Sequence, residues 1–129
     1  MSVKILNGSS PCYFITKRLI KMYSSEAVTH NVAIKQFQLD LTPDKPEGEK
    51  DHGVLDYELV GKSEFNLYHT EVPPTYKGKG IGGFLADRAF RDLTDTNVGA
   101  KLILSCTYLQ HYYNKNKHLY PKAKVEFPK

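Results

Sequence analysis

Tryptophan is absent from the 129 residues, and cysteine occurs only twice. Cys12 and Cys106 lie far apart in unlike contexts. That points to free thiols in a reducing compartment and away from a disulfide scaffold. No C-x-x-C and no H-E-x-x-H occurs, and His69, His111 and His118 share no ligand spacing on one element, so no metal site is expected. No apolar run approaches the ~18 residues needed to span a membrane. No internal repeat is present. The Walker A pattern G-x-x-x-x-G-K-[ST] is missing, which excludes a P-loop nucleotidase. Acidic residues are missing from the first 25 positions, which hold Lys4, Lys17, Arg18 and Lys21. The whole chain carries +4, all of it in that leader, so the remainder is neutral. A general nucleic-acid surface is therefore unsupported.

What is present fits one small domain: 40% hydrophobic and 25% charged residues over a length too short for two domains. Its charge is polarised. Residues 26–95 hold 8 basic and 13 acidic side chains, net −5, and residues 96–129 hold 6 basic and 1 acidic, net +5. The basic end suits attraction of a polyphosphate ligand; it equally fits a solvated basic tail over residues 122–129.

Residues 1–25 read as a leader outside the fold. They are basic, hydroxyl-rich and acid-free, with Phe14-Ile15 and Leu19-Ile20 beside the cations. That is similar to a mitochondrial transit peptide, and a disordered leader on a cytosolic protein is the other reading. The locations that follow are the mitochondrial matrix and the cytoplasm.

The domain, residues 26–121, reads as ββββ-α-β-α. Strands are expected at Val28–Asn31 and Lys35–Leu41, the second with Phe37, Leu39 and Leu41 alternating with polar residues. A polar loop with Pro43, Pro46, Gly48 and Gly53 follows. Leu55, Tyr57 and Leu59 mark a third strand, Gly61-Lys62 a hairpin turn, and Ser63–Val72 a fourth strand. Simple alternation puts Phe65, Leu67, His69 and Glu71 of that strand on one face. A helix is expected from Gly80 to Leu93, a short apolar strand over Lys101–Ser105, and a second helix over Tyr108–Lys115. The expected fold is α+β: about five strands in a mixed sheet, an antiparallel meander joined to one βαβ crossover, and two helices. In that arrangement the ends of strands four and five arrive together.

The loop after strand four carries the most information. Tyr76-Lys77-Gly78-Lys79-Gly80-Ile81-Gly82-Gly83 opens straight into the helix. Backbone N–H groups then gather at the positive end of the helix dipole, with no side chains in an anion's way. The stretch also fits G-x-G-x-x-G. A dinucleotide site would need a strand leading into the first glycine and an acid ending the next strand. Pro73-Pro74 and Ser105-Cys106 stand there instead. A helix-capping turn without a ligand spends three glycines in or beside a helix, where each costs roughly 1 kcal/mol against alanine.

Val72-Pro73 with Tyr76–Gly82 resembles the acyl-CoA loop of the GNAT N-acetyltransferases, [QR]-x-x-G-x-[GA], with Lys77 in place of Gln or Arg. His69–Pro73, the loop, and Cys106–Leu109 with Tyr112 are similar to the short single-domain GNATs of the YjdJ type. Val28–Asn31, Phe37 and Leu41 also fit that type's opening strands. The resemblance spans roughly residues 27–120. It departs at Lys117 and in the long charged insert Thr42–His52.

The resemblance implies the GNAT fold and acetyl transfer from acetyl-CoA to an amine, with no metal. It implies that backbone amides of Lys77, Gly78, Lys79, Gly80, Ile81, Gly82 and Gly83 hold the pyrophosphate. It also implies that an N–H at or near Val72 polarises the acyl carbonyl. Glu71 is a candidate base, with His69 as its rival. Cys106 is read either as a small buried hydrophobe or as a thiol at the acyl end, lining the thioester or carrying the acyl group. Tyr112 resembles the tyrosine that reprotonates the departing thiolate, although Tyr108, Tyr112, Tyr113 and Tyr120 crowd this helix, and tyrosines at helical spacing are more often core. The acceptor is unidentified; an open cleft suits an amine on a protein or peptide. A monomer is expected. A coenzyme A-binding module without transferase activity is the alternative.

Overall fold

In a computed structural model, residues 23–128 are described. The elements are β1 (Thr29–Asn31), β2 (Gln36–Asp40), β3 (His52–Gly61), β4 (Glu64–Glu71), α1 (Ile81–Thr96), β5 (Lys101–Leu104), α2 (Thr107–Asn116) and β6 (Lys124–Glu126), with short 3-10 turns between. They form one mixed six-stranded sheet in sequence order. β1 to β4 pair antiparallel, and β4–β5 and β5–β6 pair parallel. The α+β architecture is as expected, with one more strand. The sixth lies within residues 122–129, expected as a tail. Its three residues alternate without a full apolar face, so periodicity alone does not reveal it; the pairing Leu102↔Val125 beside β5 creates it.

The meander follows from alternation. Phe37, Leu39, Leu55, Tyr57, Phe65 and Leu67 are buried while their neighbours along the strands are not. α1 covers that face with Ile81, Leu85, Ala86, Ala89, Phe90 and Leu93, spaced by three and four. α2 adds Leu109, and Phe90 meets Tyr112, Tyr113 and Tyr120 edge-on at 5.1–6.3 Å between ring centres. Fully burying each Leu or Phe is worth roughly 1.5–3 kcal/mol, which is what holds two short helices to a thin sheet. The alternate residues form the other face. There Gln36 donates to Asp56 at 2.7 Å, Asn66 to Glu58 at 2.9 Å, and Ser105 to Asn66 at 2.6 Å.

Two expectations need correcting. Tyr23 to Ser25, assigned to the leader, belong to the fold. The Tyr23 hydroxyl donates to the Leu41 carbonyl at 2.8 Å, and Arg88 donates to the Ser25 carbonyl at 3.0 Å. Residues 1–22 lie outside the described residues. The facing of β4 also changes midway. Asp56 pairs with His69 but Tyr57 pairs with Leu67, so Tyr68 is an extra residue, a β-bulge. One extra residue reverses the sides of everything after it. Thr70, opposite buried Leu55, takes the helix-covered face. His69 and Glu71, opposite Asp56 and Val54, move to the open face and are exposed.

Candidate functional site

The same bulge shapes the site. β4 and β5 pair from Glu64↔Lys101 to Leu67↔Leu104 and then part. At the parting point the Ser105 and Cys106 amides both donate to the Leu67 carbonyl, at 3.1 and 3.3 Å. The gap opens into a cleft of about 640 Å³ lined by Thr70, Glu71, Val72, Tyr76, Lys77, Gly78, Gly80, Ile81, Gly82 and Tyr108.

The glycine loop forms one wall. Gly78 and Gly80 have φ of +83° and +78°, a conformation that an L side chain rarely takes. A Cβ at Gly78 would meet nothing within 4 Å, so open space lies where an anion approaches. Gly80 caps α1, and the first helical bond runs from the Phe84 amide to its carbonyl at 3.1 Å. The amides of Ile81, Gly82 and Gly83 thus have no partner within the helix. No side chain caps them and no acid lies in the first turn. Unpaired N–H groups at a helix start with Lys77 beside them fit a phosphate ester, the most highly charged part of coenzyme A.

The expected site residues separate into two groups. Val72, Lys77, Gly78, Gly80, Ile81, Gly82 and Glu71 line the cleft; Lys79 and Gly83 do not. Gly83 serves packing, since a Cβ there would lie 3.5 Å from the Tyr112 ring. Glu71 accepts a hydrogen bond from His69 Nε2 at 3.2 Å, and its side chain is 70% exposed.

Cys106 caps α2, half-buried behind the cleft wall, and its thiol donates to the Thr70 hydroxyl at 3.6 Å. Tyr112 is turned away from the cleft. Its hydroxyl meets that of Tyr120 at 2.7 Å, and Tyr120 donates to Asp87 at 2.6 Å. Tyr120 has one proton and gives it to Asp87, so the Tyr112 proton is committed to Tyr120. Burial pushes the Tyr120 phenol far up, and the Asp87 carboxylate and Tyr112 add to it.

Tyr108 stands where Tyr112 was expected. It lines the cleft and lies over Gly82, and the residue is 45% exposed. Burial of the phenol, with Tyr112 and Cys106 nearby, raises its pKa, so it holds its proton at neutral pH. Sequence reasoning placed Tyr108 in the core. The available signal was position: Tyr108 is in the first turn of α2, next to the parting strands, and Tyr112 is one turn further away. Thr70 was missed because the bulge that turns it toward Cys106 leaves no mark in the alternation. Among the described residues no group of three or more His, Cys, Asp or Glu could hold a metal ion. Among them also, no helix is long and apolar enough to cross a membrane.

Residues 37–123 match the model of the GCN5-related N-acetyl-transferase family. The chain belongs to that family. Protein NATD1 of Xenopus tropicalis is 38% identical over 93 residues, covering 72% of this chain and 79% of that one. Protein NATD1 of Homo sapiens is 38% identical over 89 residues, covering 69% and 73%. The solution structure of a GCN5-like putative N-acetyltransferase from Staphylococcus aureus superposes with a TM-score of 0.55 at 19% identity, covering 77% of this chain and 88% of that one. That likeness concerns the fold.

Proposed function

We propose that this GNAT domain transfers an acetyl group from acetyl-CoA to an amine. The observation that carries the reading is the joining of the Gly78–Gly82 helix start to the cleft between β4 and β5. Acetyl-CoA, when bound, supplies an acyl group activated as a thioester. The chain's residues then divide the work. The amides of Gly78 to Gly82 hold phosphate oxygens, and Lys77 adds charge. The backbone at Val72, just past the end of β4 and beyond the last β5 pairing, offers an N–H to the acyl oxygen. Glu71, on the open face, takes the proton of the incoming ammonium, with His69 at 3.2 Å as its partner. Tyr108 is better placed than Tyr112 to return a proton to the departing sulfur, because its hydroxyl is in the cleft wall and protonated. Cys106 supports the wall; a thiol that donates to Thr70 is not poised as a nucleophile. The YjdJ type remains the proposed subtype, on the residues 69–73 and 106–109.

Calorimetry with acetyl-CoA tests the reading, followed by release of free thiol in the presence of an amine panel. Binding with amine-dependent thiol release is expected. Binding without release across the panel would leave a coenzyme A-binding module. No binding at millimolar acetyl-CoA would remove both. The leader is proposed to direct the chain to mitochondria. A reporter fused to residues 1–25 should enter the organelle, and a diffuse cytosolic signal would overturn that.

A further inference from the structure

The cleft has a direction. β4 and β5 last pair at Leu67↔Leu104, and Thr70 is the first β4 residue beyond that point to line the cleft. Lys77, Gly78 and Gly80 line it further along the chain, where the glycine loop bares its amides. A ligand held by its phosphates at the loop therefore extends its other end toward the parting strands and Thr70. The bulge at Tyr68 is what turns Thr70 to this side.

Behind Thr70 the space is filled and fixed. Its hydroxyl accepts from the Cys106 thiol at 3.6 Å. Cys106 is clamped in turn. Its amide donates to the Leu67 carbonyl at 3.3 Å, and its carbonyl accepts from the Gln110 amide at 3.1 Å. The Gln110 side chain donates to the Leu104 carbonyl at 2.7 Å, which ties the first turn of α2 to β5. Cys106 packs against the core cluster that holds Leu67, Leu104 and Leu109, all three with no exposure. A β-branched side chain is stiff at χ1, so with its hydroxyl on Cys106 the Thr70 methyl has one place to stand. A close-packed interior does not admit an added methylene without strain.

We propose that Thr70, braced by Cys106, is the floor that limits acyl length, so that the cleft takes acetyl and rejects propionyl and butyryl groups. The inference rests on the acetyl-transfer reading and narrows its donor class to two-carbon thioesters. Thr70 sets the limit by contact, and Cys106 is a positioning residue that acts through it. A misfit of one methylene discriminates by about 10- to 200-fold.

The test uses the full chain and two readouts. Calorimetry with acetyl-, propionyl- and butyryl-CoA gives affinities without an acceptor, and thiol release with an amine gives kcat/KM for each donor. Each added carbon should lower both by about tenfold or more. Equal affinity for the three donors overturns the proposal. Thr70→Ala removes the methyl and the hydroxyl, and the propionyl-to-acetyl ratio should rise by about tenfold or more in both readouts. Cys106→Ala leaves space behind Thr70 and should raise the ratio by a smaller factor. Thr70→Val keeps the volume and loses only the bond to the thiol, so the acetyl preference should persist. If thermal unfolding shows that Thr70→Ala does not fold, Thr70→Ser, which removes the methyl alone, carries the same expectation. Unchanged ratios in folded variants overturn the floor. A preference lost in Thr70→Val overturns it in favour of the hydrogen bond. If acetyl-CoA binds and no amine releases thiol, the transfer reading fails alone, and the ladder of affinities still decides this inference. If none of the three binds at millimolar concentration, both fail.

Discussion

The Tyr108 phenol lies against Gly82 so closely that a Cβ on that glycine would stand 2.8 Å from its Cζ and Oη. One contact thus joins the helix that offers its amides to the cleft and the helix that offers a hydroxyl. It explains why α1 tolerates a glycine in its first turn, where alanine would favour the helix by roughly 1 kcal/mol.

That contact can be measured as a cycle. Gly82→Ala should destabilise the fold or displace the Tyr108 ring, at a cost of about 1–3 kcal/mol for overpacking. In the Tyr108→Ala background the same change should be neutral or stabilising by up to ~1 kcal/mol. Thermal unfolding of the four proteins reads the coupling. Equal effects in both backgrounds would show that the ring does not sit on the glycine.

The two tyrosines should part in kinetics. Tyr108→Phe keeps the ring and removes the hydroxyl, and kcat should fall by about 10²- to 10⁴-fold if that hydroxyl is the acid. Tyr112→Phe removes the bond to Tyr120, with a stability loss of about 1 kcal/mol and kcat within about tenfold of the parent. The reverse ranking would restore Tyr112 to the role the sequence suggested.

Cys106→Ala separates direct transfer from a covalent route. Direct attack predicts activity within about tenfold, ~1.4 kcal/mol in barrier. The bond to Thr70 is lost, so a modest fall in stability should accompany it. A fall of several orders of magnitude, with an acetyl group trapped on Cys106 in the parent when no acceptor is present, would establish the covalent route.

Acidification should weaken the fold in two steps. His30 stacks on Phe37 at 4.0 Å and bonds to the Tyr57 hydroxyl at 2.6 Å. Burial lowers its pKa below 6.5, with Arg88 adding to the effect and Asp92 opposing it. The unfolded chain then binds the proton first, so this stability is complete above 6.5 and is lost as pH falls toward the lowered value. Burial alone would raise Asp87, but hydrogen bonds from Tyr120, Ser25 and Arg91 outweigh it and hold the carboxyl below 3.8. Its stability is present above 3.8 and is lost as pH falls through its lowered value. Unfolding midpoints from pH 8 to 3 should show both losses. His30→Phe should flatten the upper one and leave the lower, and an unchanged upper step would exclude His30 as its source.

Local chemistry was enough for much of this protein. Alternation in Phe37–Leu41 and Leu55–Leu59 identifies strands, because side chains on a half-buried strand must alternate. The three-and-four spacing from Ile81 to Leu93 marks α1, because one helical stripe must be apolar. The loop before it reads as an anion cradle because glycines leave amides bare, wherever the loop lies. What depended on contacts between distant residues could not be read in the same way. The bulge at Tyr68 exists because β3 and β4 pair with one residue in excess, and it decides that Thr70 faces Cys106 while His69 and Glu71 face the open side. β6 forms only because β5 has an edge to pair with. Tyr108 and Tyr112 are the same residue type one helical turn apart, and only the packing of α2 on α1 gives one the cleft and the other to Asp87 through Tyr120. Composition and period determine which segments are strand, helix or bare loop. Register and helix docking, which depend on the sum of long-range contacts, decide which side chains share the site.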